Sequence, residues 1–100
     1  MTKLIIRPAA RREIVDIWLH TADRWGVEQA DAYVRQIEAT IALALELPNI
    51  GSAVFGLPST YRKMKSGSHR IVYRRTGDEL IIVRVLHERQ DVPDETEDFW

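Results

Sequence analysis

With 100 residues, no cysteine and a formal net charge of -1, the chain suits one domain with a modest core and excludes disulfides and thiolate metal sites. Its 45% apolar and 29% charged residues are an ordinary globular composition. No stretch approaches the roughly 20 apolar residues of a membrane span, and the opening Met1 to Pro8 is too short an apolar run for a signal peptide, so a cytoplasmic protein with no membrane partner is expected.

Lys3 to Arg7 is a short apolar run ended by Pro8, a residue well suited to the first turn of a helix, and predicts an edge strand followed at once by helix. From Ala9 to Trp25, Ala10, Ile14, Ile17, Trp18, Ala22 and Trp25 recur at helical spacing, with Arg12, Asp16, His20 and Asp23 mostly on the other side. Gly26 fits the position just past the end of that helix. A second stripe of Ala30, Tyr33, Val34, Ile37, Ile41 and Ala44 then runs to Pro48, so the two helices form an antiparallel hairpin. Trp18, Trp25 and Tyr33 are expected in the core because they sit on these stripes. Asn49 to Thr60 reads as a loop whose Val54, Phe55 and Leu57 fold back over the core.

Tyr61–Lys65, His69–Arg75 and Leu80–His87 read as an antiparallel meander, with turns at Ser66-Gly67-Ser68 and Gly77-Asp78. Alternation places Ile71, Tyr73, Ile81, Val83 and Val85 on the core face, a register that a three-residue loop between the last two strands would satisfy. The opposite face then gathers Lys63, Lys65, Arg70, Arg74 and Arg84 around Val72, Ile82 and Leu86, a mixture that asks for a partner. Helices on one side of a small sheet make an α+β fold, and residues 1–89 are expected to be one domain. Residues 90–100 form an acidic tail with Asp91, Asp94, Glu95, Glu97 and Asp98 before Phe99-Trp100. Ordering it costs more than exposed ion pairs return, so a solvated tail is expected.

Nucleotide-binding glycine loops and a nucleophile elbow are absent from the sequence, and neither cofactor nor metal is expected. His20, His69 and His87 are too scattered in sequence to indicate a metal site. A register that opposes His69 to His87 makes them hydrogen-bonded residues at the strand ends. The basic strands contain no carboxylate, so acid–base catalysis is not expected from them.

Asp16-Ile17-Trp18, Arg24 to Ala30, Tyr33, Pro48 with Gly51, Tyr61-Arg62, Ser66-Gly67-Ser68-His69, Val72-Tyr73-Arg74 and Arg84-Val85-Leu86-His87 together resemble the ParE toxins of bacterial type II toxin–antitoxin modules. The resemblance runs from about Leu4 to His87. It implies the fold of the RelE/ParE superfamily and a toxin that poisons DNA gyrase without catalysis and forms a hetero-oligomer with a cognate ParD-like antitoxin. No direct sequence-specific binding to nucleic acid is expected. The antitoxin would bind Lys63, Lys65, Arg70, Val72, Arg74, Ile82, Arg84 and Leu86, through apolar anchors and acidic residues.

Two alternatives stand beside this reading. In RelE-like, ribosome-dependent mRNA endonucleases, basic residues on the sheet stabilise phosphate, and Lys63, Lys65, Arg70 and His87 would be the catalytic set. Against it, Glu88 and Asp94 fall approximately where that family carries a catalytic Arg and Tyr, and a carboxylate there would repel the scissile phosphate. The other alternative is a protein-interaction module with no activity on gyrase.

Overall fold

The computed structural model describes residues 2–90. Its elements are β1 (Lys3–Ile6), α1 (Pro8–Trp25), α2 (Val27–Glu46), β2 (Ser52–Ala53), β3 (Tyr61–Ser66), β4 (His69–Thr76) and β5 (Glu79–His87). They build an α+β fold with a five-stranded sheet in the order β1-β5-β4-β3-β2. β1 runs parallel to β5, and Arg7 prolongs the pairing by donating its N–H to Ile82 O at 3.0 Å before Pro8 turns the chain into α1. Of the acidic tail, 90–100, all but Gln90 lies outside the described residues.

The helical hairpin has a one-residue joint. Gly26 adopts φ 96°, a conformation that side chains disfavour, and its N–H still bonds Ala22 O at 2.9 Å. Trp18 Nε1–H donates to Asp31 Oδ1 at 2.8 Å, tying α1 to α2. Ala10, Ile37, Ile41 and Ala44 bury their side chains against the sheet, with Ile14, Ile17 and Tyr33 packed alongside. Trp25 departs from expectation. The residue is 70% exposed, on the last turn of α1 just before the reversal at Gly26.

Between β4 and β5 the structure corrects the predicted register. The turn has two residues, Gly77-Asp78, with Thr76 opposite Glu79; at the far end His69 lies opposite His87, as expected. Those two pairings are out of step by one residue, and a β-bulge absorbs the difference: Val72 pairs with Arg84 and Tyr73 with Ile82, leaving Val83 extra. Side-chain alternation therefore changes phase at Val83. Leu80 and Ile82 join Ile71, Tyr73 and Val85 under the helices, whereas Ile81 and Val83 turn to the second face with Val72 and Leu86. Ile82, expected on the basic face, is thus fully buried on the helical side.

The second face is covered by the segment after α2. Val54 and Leu57 fold onto Val72, Ile81, Val83 and Leu86, joined by Ile5 and Tyr61. This agrees with the expected fold-back for Val54 and Leu57, but Phe55 between them is 100% exposed. β2, absent from the sequence-based expectation, pairs Ser52 and Ala53 with Lys63 and Arg62 at the sheet edge. Tyr73 holds this segment in place from the core, donating its hydroxyl hydrogen to Pro48 O at 2.9 Å while accepting Gly51 N–H at 3.0 Å. A Cβ on Gly51 would lie 2.6 Å from that hydroxyl, so only glycine fits the approach.

Candidate functional site

Strand alternation lifts Lys63 and Lys65 from β3 and Arg70 and Arg74 from β4 onto the second face, as the sequence predicts. Lys63 stands opposite Val72, and Lys65 opposite Arg70. Arg74 lies over the Tyr61 ring, its guanidinium carbon 5.7 Å from the centroid. Arg70 Nη2 donates to Gln90 O, and Lys65 Nζ reaches Glu88 Oε2 at 3.8 Å across exposed side chains. Among the described residues, the buried Nε atoms of Arg70 and Arg74 have no hydrogen-bond partner.

The floor of this face differs from the expectation. Val72 and Leu86 are fully buried beneath the Val54 and Leu57 segment, so a partner meets the charged rim and reaches them only by displacing that segment. Arg84 is turned to the edge. Where β1 ends, α1 takes its place beside β5, and Glu13 receives Arg84 Nε–H at 3.0 Å to either oxygen and Nη2–H at 2.6 Å. The same carboxylate accepts Val85 N–H at 2.9 Å, a donor that β1 is too short to satisfy. Arg84 is therefore a half-buried cross-brace, its side chain 14% exposed.

On the other side of the sheet, the ends of β4 and β5 meet the helical hairpin at a groove of about 810 Å³. Asp16, His20 and Arg24 of α1 line it with Trp25, Gln29, Tyr33, His69 and His87. Tyr33 organises its inner wall. Its hydroxyl accepts Ser68 N–H at 2.9 Å and lies 2.6 Å from His69 Nδ1, with Ser66 O farther off at 3.4 Å. Gly67 makes that approach possible: it has φ 56°, and a Cβ there would come within 2.7 Å of the Tyr33 ring.

His69 and His87 meet edge to face, with ring centroids 5.3 Å apart. Burial, reinforced by the nearby His87, lowers the His69 pKa below its ordinary 6.5; Glu88 and Glu13 pull the other way. Sequence spacing anticipated the pairing of these two histidines and their hydrogen-bonded role, but did not bring in His20. The available signal was the four-residue repeat Asp16, His20, Arg24, which puts all three along one edge of α1. Among the described residues no group of His, Asp and Glu is arranged to hold a metal ion, and no helix is long and apolar enough to cross a membrane.

The catalytic set of the nuclease alternative is not brought together. Lys63, Lys65 and Arg70 rise from the second face, whereas His87 lines the groove on the helical face.

Sequence comparison with known proteins points to one family, and solved structures share the fold. The sequence profile described as "ParE toxin of type II toxin-antitoxin system, parDE" matches residues 4–92. The chain is 44% identical over 92 residues to Toxin ParE1 of Mycobacterium tuberculosis, covering 91% of this chain and 94% of that protein. It is 43% identical over 79 residues to Toxin ParE1 of Caulobacter vibrioides, covering 79% and 81%. In fold it is similar to a chain of the chromosomal ParDE TA system from P. aeruginosa, with a TM-score of 0.75, 20% identity, and coverage of 87% of this chain and 96% of that one. A copper-bound mutant toxin from Helicobacter pylori shares the fold at a TM-score of 0.61 and 18% identity, with coverage of 87% and 94%.

Proposed function

The chain belongs to the ParE toxin family of type II toxin–antitoxin systems, and from that premise we propose that it poisons DNA gyrase in the bacterial cytoplasm by binding, and is neutralised by a ParD-like antitoxin. The observation that carries the reading is the division of polar chemistry by the sheet. Lys63, Lys65, Arg70 and Arg74 crowd one face without an imidazole among them, an arrangement suited to holding an acidic partner and poorly suited to moving a proton.

The antitoxin surface follows from the same rim. Lys63, Lys65, Arg70 and Arg74 steer and orient acidic residues, and the guanidinium N–H groups of Arg70 and Arg74 donate to incoming carboxylates. Val72 and Leu86 support the rim from beneath; Ile82 and Arg84 lie outside this contact set.

Purified protein tested for gyrase-dependent DNA cleavage complexes and, separately, for ribosome-dependent mRNA cutting decides between binding and bond cleavage. Cleavage complexes without mRNA cutting are expected. Cutting of mRNA that disappears in Arg70→Ala or His87→Ala would replace the proposal with the nuclease.

A further inference from the structure

The groove under the helical hairpin has no part in the proposed gyrase and antitoxin reading, yet its polar atoms are ordered. The Tyr33 hydroxyl accepts Ser68 N–H and has two groups within reach of its own hydrogen, Ser66 O at 3.4 Å and His69 Nδ1 at 2.6 Å; the shorter contact assigns that hydrogen to His69 Nδ1. His87 Nδ1 accepts the N–H of Arg89 at 3.2 Å. In neutral imidazole a ring nitrogen that accepts leaves the other to carry the proton, so the Arg89 N–H holds His87 as the Nε2–H tautomer, and the short Tyr33 contact assigns the same tautomer to His69. Two strands thus present two imidazole donors side by side, at a ring separation of 5.3 Å, on rings that line one groove.

The surroundings favour negative charge on balance. Arg24 lines the groove, and α2 begins at its rim, with Gly26 supplying no side-chain cap for the free N–H groups of the first turn. Asp16 opposes an anion from α1. The groove's 810 Å³ falls in the range of small-molecule sites and far exceeds a bare ion, while the exposed Trp25 provides an aromatic wall, its ring 5.9 Å from the Arg24 guanidinium carbon.

We propose that this groove binds a small organic oxyanion, a phosphate or a carboxylate, through the Nε2–H donors of His69 and His87 with help from Arg24, and packs the ligand's body against Trp25. Protonating His69 adds positive charge toward the same ligand. Affinity for an anion of fixed charge therefore rises as pH falls below 6.5 toward the lowered His69 pKa, against the background of Glu13, Asp16, His20 and Arg24 from α1, Tyr33 from α2, and Glu88 beyond β5.

The test is long-range ¹H–¹⁵N NMR of the imidazole rings in the full chain. At neutral pH both rings should report the Nε2–H tautomer. Inorganic phosphate and acetate should each shift both rings saturably, distinguishing the two oxyanions by affinity, and acetate, whose charge is constant between about pH 7.5 and about pH 5.5, should bind more tightly at the lower pH. Adenosine 5′-monophosphate should bind about tenfold more tightly than inorganic phosphate, the size of one stacking contact. His87→Gln, a change at an exposed residue, should weaken every titration at least several-fold, while Tyr33→Phe should let His69 sample the other tautomer. An Nδ1–H tautomer in the wild type would overturn the proposal. So would rings that none of the three compounds moves, or titrations unchanged by His87→Gln.

Discussion

The two faces of the sheet are closed by different means. Under the helices, side chains from α1 and α2 interlock with Ile71, Tyr73, Leu80, Ile82 and Val85, and a polar groove opens at one end. On the second face a single irregular segment supplies Val54 and Leu57, and cations surround what it covers. A surface closed by two helices has little freedom to relax, whereas one closed by a loop adapts more readily. Under the proposed function, the fixed face is the helical one and the adaptable face is the one the antitoxin meets.

Removing matched volume from each face tests that contrast most strongly. Ile82→Ala should destabilise the fold by about 2–5 kcal/mol in urea titration, toward the upper part of that range, because helices and neighbouring strands cannot collapse into the cavity. Leu86→Ala should fall toward its lower part, since the Val54 and Leu57 segment can settle inward. Equal losses would show that the loop packs as rigidly as the helices.

Glu13→Ala probes the seam between the faces. It removes the carboxylate that braces Arg84 and leaves Val85 N–H without its acceptor, so a loss of about 1–3 kcal/mol is expected by the same measurement. Glu13→Gln, which retains an acceptor oxygen, should recover part of it.

A smaller, pH-dependent effect belongs to the helical face alone. Because the folded His69 pKa is lowered, the unfolded chain takes up this proton first on acidification; the stability involved is intact above the ordinary 6.5 and declines as pH falls below it toward the folded value. His69→Gln should remove that component. Urea titrations of both forms at about pH 7.5 and about pH 5.5 isolate it from carboxylate titration, and an identical pH slope in both would exclude it. The smallest effect is expected at Lys65→Ala, where an exposed pair with Glu88 is lost: stability should change by less than about 0.5 kcal/mol. Under the proposed function the same substitution slows antitoxin association at low salt.

Much of the fold was legible because its signals are local. Helical periodicity, Pro8, Gly26 and Pro48 delimited α1 and α2 closely, and alternation between turn residues located β3, β4 and β5. β2 was not, since two residues carry no readable period and its pairing depends on Tyr73 and Gly51 holding the loop against β3. In the candidate sites, Lys63, Lys65, Arg70 and Arg74 were placed by alternation alone, and the pairing of His69 with His87 by register. Ile82 was misplaced because alternation was carried through a bulge that Val83 gives no local sign of.

By itself, then, the sequence determined the helical hairpin, the meander, the basic rim and the family resemblance, all of which rest on residues near one another in the chain or on patterns that repeat along it. Only tertiary structure decided that Arg84 belongs to Glu13, that Val54 and Leu57 close the second face, and that Asp16, His20, Tyr33, His69 and His87 share one groove. Each of these depends on where one element ends beside another. β1 stops short and exposes Val85 N–H to α1, the two-residue turn forces a bulge into β5, and Gly67 lets the Tyr33 hydroxyl sit beneath a turn thirty-odd residues away in sequence. Such encounters are set by chain geometry and hydrogen-bond satisfaction in three dimensions, and no local propensity encodes them.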